Sequence, residues 1–284
     1  MSSDIYRLET QDAESFPACG SQDMDFAKAY HYLFEEIADP RVANLPLMKD
    51  PFAVTLILLA YLGFVLHIGP RYMKNRKPYK LNSFMILYNG LLAIASGVTC
   101  YGVLTSGYTT NLSLGCEPYR LSYEPEPLRM VDWIWWIFIM KIVELSDTIV
   151  FVLRKKSNQI SILHVYHHSS TVCFAWINCK YIPGGMWTFI VIPNCIVHVI
   201  MYTYYLLAAC GPKVREIINP VKKYITTLQM IQFTVILIHI AQAFLPSCDP
   251  DRKYFAWMYA LQVIIIFYMF YRFYKKTYTK KKLE

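Results

Sequence analysis

Seven stretches of about 20 mostly apolar residues divide this chain, each long enough to cross a bilayer core as a helix. They cover approximately 52–69, 83–105, 130–153, 160–178, 185–209, 224–244 and 254–273. In lipid, backbone N–H and C=O groups must be satisfied internally, which a helix does within each segment. With 55% hydrophobic residues and a mean hydropathy of +0.28, the chain is more apolar than a soluble domain of 284 residues. The expected fold class is an all-α polytopic membrane protein with seven transmembrane helices. The fourth stretch is the least apolar, because histidines interrupt it.

Seven spans place the termini on opposite faces, and the basic residues choose which. The connection after the first span holds Arg71, Lys74, Arg76, Lys77 and Lys80, and the one after the third holds Arg154, Lys155 and Lys156. The one after the fifth holds Lys213, Arg215, Lys222 and Lys223 against Glu216, and the tail adds Arg272, Lys275, Lys276, Lys280, Lys281 and Lys282. The other connections are poor in Lys and Arg or rich in acids. The positive-inside rule predicts a lumenal N-terminus and a cytosolic C-terminus. The net charge of +8 mostly reflects this asymmetry, leaving no basic face free of membrane for nucleic acid. No signal-peptide pattern opens the chain, so the first span is expected to be its own targeting signal. Residues 1–30 read as a mobile acidic lumenal arm, 31–274 as one membrane domain and 275–284 as a basic cytosolic tail.

Polar residues inside these spans are concentrated. An ionisable group at mid-bilayer costs roughly 2.5–3.5 kcal/mol on insertion scales, so each needs a function or a partner. The third span carries Lys141, Glu144, Asp147 and Thr148 on one broad helical stripe. Lys141 and Glu144 can pair at i, i+3, which leaves Asp147 to seek a partner on another span, with a histidine the natural candidate. The fourth span supplies His164-Val-Tyr-His167-His168, three imidazoles on one helix face. Imidazole serves metal binding, proton transfer and nucleophilic attack, and the spacing does not choose among them. On the fifth span Asn194 stands one turn before His198, and Met201, Tyr202 and Tyr205 continue that side. The sixth carries Thr226, Gln229 and Gln232, types that also serve as interhelical hydrogen-bond glue. Spans three to six can together line one buried chamber.

Of eight cysteines, none forms a CxxC pair, which argues against zinc. Cys100, Cys173, Cys179, Cys195 and Cys210 fall in or near spans and read as packing residues. Cys116 and Cys248 fall in loops predicted to be lumenal, where disulfides persist, and are expected to bond to each other. Asn111-Leu112-Ser113 is a glycosylation sequon so close to a span that it is expected to stay unused. Membrane desaturases and hydroxylases also carry His-x-x-His-His, in several boxes that hold two irons. This chain has seven histidines and no second box, so no metal is expected. A proton-coupled transporter would explain the intramembrane charge, yet no inverted repeat is visible. A heptahelical receptor would not require clustered histidines beside Lys, Glu and Asp.

Taken in order, four motifs resemble the ELO family of very-long-chain fatty acid elongases. They are Lys141-x-x-Glu144-x-x-Asp147-Thr148, the His164–His168 box, Asn194-x-x-x-His198-x-x-Met201-Tyr202-x-Tyr204-Tyr205 and Thr226-x-x-Gln229-x-x-Gln232. Gly69-Pro70 with Asn75-Arg76-Lys77-Pro78 is similar to the family's first cytosolic loop, and the likeness runs from about residue 30 to the C-terminus. After the box this chain has Val172-Cys173 where many members carry Pro and Trp.

The resemblance implies an endoplasmic-reticulum enzyme whose seven helices enclose a buried acyl-CoA chamber. It implies condensation of long-chain acyl-CoA with malonyl-CoA to 3-oxoacyl-CoA, CO2 and CoA, without cofactor or metal. It points to His167 as the nucleophile of an acyl-imidazole intermediate, with His198 close to the same carbon. Asp147 is expected to fix a histidine tautomer, and His164, His168 and Asn194 to donate to the oxyanion. Lys141 would pair with Glu144 or steady the malonyl carboxylate. Tyr202, Tyr205, Gln229 and Gln232 are expected to bind substrate. Arg154 and Lys155, with Arg76, Lys77 and Lys156, would meet CoA phosphates besides setting topology. Lys281 and Lys282 look like a dilysine retrieval signal. Expected partners are membrane lipid, other enzymes of the elongation cycle and a second copy of the chain.

Overall fold

A computed structural model describes residues 26–248 and 252–279, and all regular secondary structure among these residues is helical, with no strand. Lys281, Lys282 and residues 1–25 of the expected acidic arm lie outside the described residues. The chain divides after Ile37. The described part of the first unit is a short helix, Phe26–His31, extended to Glu36, with His31 against Glu35 at 3.2 Å and Glu36 at 2.9 Å.

The second unit holds α1 (Phe52–Met73), α2 (Asn82–Tyr108), α3 (Pro125–Glu144), α4 (Ser146–Leu153) and α5 (Ile162–Tyr181). It continues with α6 (Val191–Ala209), α7 (Val221–Ala241) and α8 (Tyr254–Tyr274). Among the described residues five helices are long and apolar enough to cross a membrane: α1, α2, α6, α7 and α8 with their short extensions. The protein is a multi-pass membrane protein. The other two expected spans are helical but fall outside this set, because they carry Lys141, Glu144, Asp147 and the three histidines. The third is also not continuous. The Leu145 N–H bonds to Ile142 O at 3.2 Å, a tight i→i−3 closure that separates α3 from α4.

Local chemistry sets the ends of the site-bearing helices. Pro125 opens α3, where its missing N–H costs nothing. The Ser161 side chain caps α5 by accepting from the His164 N–H at 3.1 Å. The histidine box thereby begins in the first turn of α5, next to the basic connection 154–156.

Small residues decide the tightest packing. Gly90 faces Leu206, Gly97 faces Val199 and the Cys100 thiol points to Ile192 O, so α2 and α6 lie antiparallel with their backbones close. Further along, Gly102 lies under the Trp133 indole, where a Cβ would overlap the ring, and this locks α2 to α3. α3 also packs on α5, and α7 on α8.

The two ends of the bundle differ chemically. At one, Cys116 and Cys248 form a disulfide, with Cα atoms 5.7 Å apart, joining the α2–α3 and α7–α8 connections. Next to the α2–α3 connection, the segment before α1 holds a buried charge cluster around Asp39. Arg41 donates to it through Nε at 3.0 Å and Nη2 at 2.6 Å, and Tyr119 Oη at 2.8 Å. Burial and the neighbouring Asp39 charge push the Tyr119 phenol up to about 12, so it remains a donor. At the other end the basic connections are tied together. Lys155 Nζ donates to Lys74 O at 3.3 Å, Arg154 Nη2 to Asn82 Oδ1 at 3.2 Å, and the Tyr79 N–H to Leu153 O at 3.1 Å.

Gly102→Val should displace the Trp133 ring and separate α2 from α3. We expect a loss of about 1–3 kcal/mol, read as a lower thermal unfolding midpoint in micelles, while Gly63→Val, where a Cβ meets nothing, should leave it unchanged.

Candidate functional site

Glu144 closes the last turn of α3 and is completely buried. A carboxylate there is tenable only with cations or donors in contact. Lys141, one turn earlier, places Nζ 3.0 Å from Oε1 and 3.1 Å from Oε2. From α6, His198 Nδ1 stands 3.1 Å from the same Oε1. A carboxylate only accepts, so this contact places the imidazole proton on Nδ1 and leaves the Nε2 lone pair free. Lys141 Nζ is also 3.5 Å from Nδ1, a proximity of two donors that share one acceptor.

Asp147 has a different partner from the one its spacing suggests. It accepts a hydrogen bond from Tyr202 Oη at 3.0 Å, and Tyr88 of α2 also lies within its electrostatic range. The expected carboxylate–histidine contact is made by Glu144 instead. Successive turns of α3–α4 thus meet successive turns of α6, Glu144 with His198 and Asp147 with Tyr202. Next to Asp147, Thr148 Oγ1 shares a 2.8 Å hydrogen bond with Tyr61 Oη from α1. Nothing in the sequence distinguishes Tyr61 and Tyr88 from the chain's other tyrosines. Their roles follow only from the packing of α1 and α2.

The three histidines of α5 form a ring cluster. His164 and His168 have centroids 4.3 Å apart, and His167 and His168 5.4 Å. Phe151 covers His164 and Phe270 of α8 lies 6.0 Å from His167. His167 is within electrostatic range of Lys141, Glu144 and His198, so the residues of α3, α5 and α6 share one locus. His164 Nε2 and His168 Nδ1 are buried without a hydrogen-bond partner. Ring nitrogens left in this way are free to meet a reacting group. Among the described residues no set of three or more His, Cys, Asp or Glu is arranged to hold a metal ion.

The remaining expected residues are distributed around this locus. Asn194 is half-buried one turn before His198. Tyr202 is fully buried, whereas Tyr205 is exposed. Gln229 Nε2 bonds to Met201 Sδ at 3.6 Å, bridging α7 to α6, and Gln232 is buried on the next turn. Thr226 Oγ1 bonds back to Lys222 O within its own helix. Arg154 and Lys155 sit at the basic end, outside the histidine cluster. His239 is held elsewhere, stacked on Phe189 and 3.0 Å from Met186 O.

Residues 46–284 match the profile of the ELO family, described as the GNS1/SUR4 family. The chain belongs to the ELO family. Its relatives include very long chain fatty acid elongase 1 of Mus musculus, 43% identical over 257 residues that cover 89% of this chain and 90% of that protein. Very long chain fatty acid elongase 7 of Drosophila melanogaster is 38% identical over 256 residues, covering 90% and 78%. The elongase 7 of Rattus norvegicus is 39% identical over 244 residues, 86% of each chain. The polar residues that this ELO chain gathers around Glu144 all fall within the matched segment.

Lys141→Met should leave Glu144 as a buried charge with one partner and cost about 3–5 kcal/mol. Adding Glu144→Leu should recover most of that loss, because two apolar side chains then replace the pair. Thermal unfolding of the single and double variants in micelles checks both.

Proposed function

We propose that the protein condenses a long-chain acyl-CoA with malonyl-CoA, giving 3-oxoacyl-CoA, CO2 and CoA, the carbon–carbon bond-forming step of fatty acid elongation. ELO membership and relatives named as elongases support the reaction. The observation that carries the mechanism is the Glu144–His198 contact of 3.1 Å beside three clustered imidazoles.

His167 attacks the thioester carbonyl with its unprotonated nitrogen, and the C–S bond breaks. The acylated ring then gives up its remaining N–H proton, His198 Nε2 takes it, and the departing CoA thiolate receives it. Malonyl-CoA loses CO2, and its enolate attacks the acyl carbon. The C–N bond to His167 breaks and the ring regains a proton from water, so one proton is consumed overall. His164, His168 and Asn194 surround the locus where the carbonyl oxygen becomes negative. Each well-placed donor there contributes roughly 2.7–4 kcal/mol. Tyr202, Gln229 and Gln232 shape the acyl-binding space, and Lys141 keeps Glu144 ionised. The substrates supply both electrophile and carbanion, so the scheme needs no cofactor or metal.

In this reading α3–α4 and α5 complete a seven-span bundle around the buried acyl chamber, and their polar faces turn inward, away from lipid. The basic end, with Arg154 and Lys155, faces the cytosol and meets CoA phosphates. The disulfide end faces the lumen of the endoplasmic reticulum, where such bonds persist. The tail with Lys281 and Lys282 fits retrieval to that membrane. The 3-oxo product requires reduction and dehydration, so enzymes of those classes are the expected neighbours.

Incubation with acyl-CoA alone, followed by peptide mapping, should place an acyl group on His167, and His167→Ala should abolish it. Turnover without any adduct would replace this route with direct condensation. Glu144→Gln removes the charge that fixes His198 and should lower kcat by about 10²–10⁴-fold in the folded protein, by analogy with the loss of a triad carboxylate. It should also lower the thermal midpoint, because the Lys141 ammonium loses its buried anion.

A further inference from the structure

α5 and α8 run antiparallel and meet through aromatic contacts, Phe270 with His167, Tyr259 with Phe174 and Phe255 with Tyr181. Hydrogen bonds also cross this seam, one of them from Tyr259 Oη to Phe174 O at 3.1 Å. Gln262 of α8 is 8% exposed, and its Oε1 accepts from Tyr166 Oη at 2.8 Å. Its Nε2 is buried without a hydrogen-bond partner. Tyr166 therefore fixes the amide with its donor end unused. Ser169, one turn beyond Tyr166 on α5, also has a buried Oγ without a partner.

The position of this amide relative to His167 matters. Phe270 touches His167, and Gln262 lies eight residues back along α8, about 12 Å toward the disulfide end. The basic end lies within two turns of the histidine box, which leaves little length of bundle for a long acyl group on that side. On the condensation reading the chain runs from His167 toward the disulfide end, and on the α8 side its middle carbons come level with Gln262. A saturated chain offers nothing to a buried N–H, and the donor then stays unpaired at a cost. A chain with an electron-rich group at that level pairs it.

We propose that Gln262, held by Tyr166, forms a subsite for an electron-rich, hydrogen-bond-accepting group in the middle of the acyl chain, either a hydroxyl oxygen or the π-face of a cis double bond. The subsite rests on the condensation reading, and Gln262 takes no part in the chemistry.

The test compares three acyl-CoAs of equal length with the full-length protein in micelles: saturated, mid-chain cis-monounsaturated and mid-chain hydroxylated. The readout is malonyl-CoA-dependent CO2 release. A hydroxyl should raise kcat/KM roughly tenfold over the saturated chain, the effect of about 1.4 kcal/mol from one hydrogen bond. The double bond should raise it roughly two- to threefold, because N–H···π contacts are weak. Both preferences should vanish when the group is moved next to the thioester or to the methyl end. Gln262→Leu, or Gln262→Met if that variant does not fold, should remove them while retaining turnover of the saturated chain. Equal kcat/KM for all three chains in the unmodified protein, or an active Gln262 variant with the preferences intact, would overturn the subsite alone. Absence of CO2 release with every chain would overturn the condensation reading and the subsite with it.

Discussion

A carboxylate with no exposed surface has to be compensated by groups in direct contact, and Glu144 meets this demand from two helices. Lys141 comes from its own helix at i−3 and His198 from α6. Removing either leaves a buried charge underpaired, so the geometry of α3 relative to α6 is tied to the ionic state of one side chain. The same contact has a chemical consequence. It places the imidazole proton on Nδ1 and leaves Nε2 as the working atom, in the same locus as a cluster in which His164 Nε2 and His168 Nδ1 have no internal partner.

The rest of the bundle reads as support for that contact. On one side, glycines at 90, 97 and 102 let α2 approach α6 and α3 until side chains such as Val199, Leu206 and Trp133 fill the grooves. On the other, long polar side chains span the distance between α3–α4 and α6. The second rung, Asp147 with Tyr202, sits one turn from the first and beyond the tight closure at Leu145. Its tyrosine hydroxyl is a neutral donor, so Asp147 and Glu144 occupy different electrostatic settings although they are three residues apart. Two acids in one motif therefore have two functions, one holding a histidine and one anchoring a helix.

Much of the site was legible in the sequence because ionisable residues are so costly in an apolar span that each is informative. Lys141, Glu144, Asp147, the three histidines of α5 and His198 stood out for that reason, and the structure brings them to one region. The choice between the two carboxylates was not legible. Helical spacing puts Glu144 and Asp147 on the same stripe, and only the register of α6 decides which meets an imidazole and which meets a phenol. Hydropathy likewise undervalued the two helices that carry the chemistry, since the residues that make α3 and α5 functional also reduce their apolar signal. Tyr61, Tyr88, Tyr166 and Gln262 carried no sequence signal, because tyrosine and glutamine are common at helix interfaces and a partner across the bundle gives them their meaning.

The sequence by itself determined the class of fold, the polar inventory and the family, since membrane-length apolar runs and ordered motifs are local properties of the chain. The tertiary structure alone decided the pairings. Lys141, Glu144 and His198 form one hydrogen-bonded unit, Asp147 answers to Tyr202, and Gln262 keeps an unused donor beside the histidine helix. Those outcomes depend on which helix faces which and in what register, and packing of glycines, indole and aromatic rings sets both.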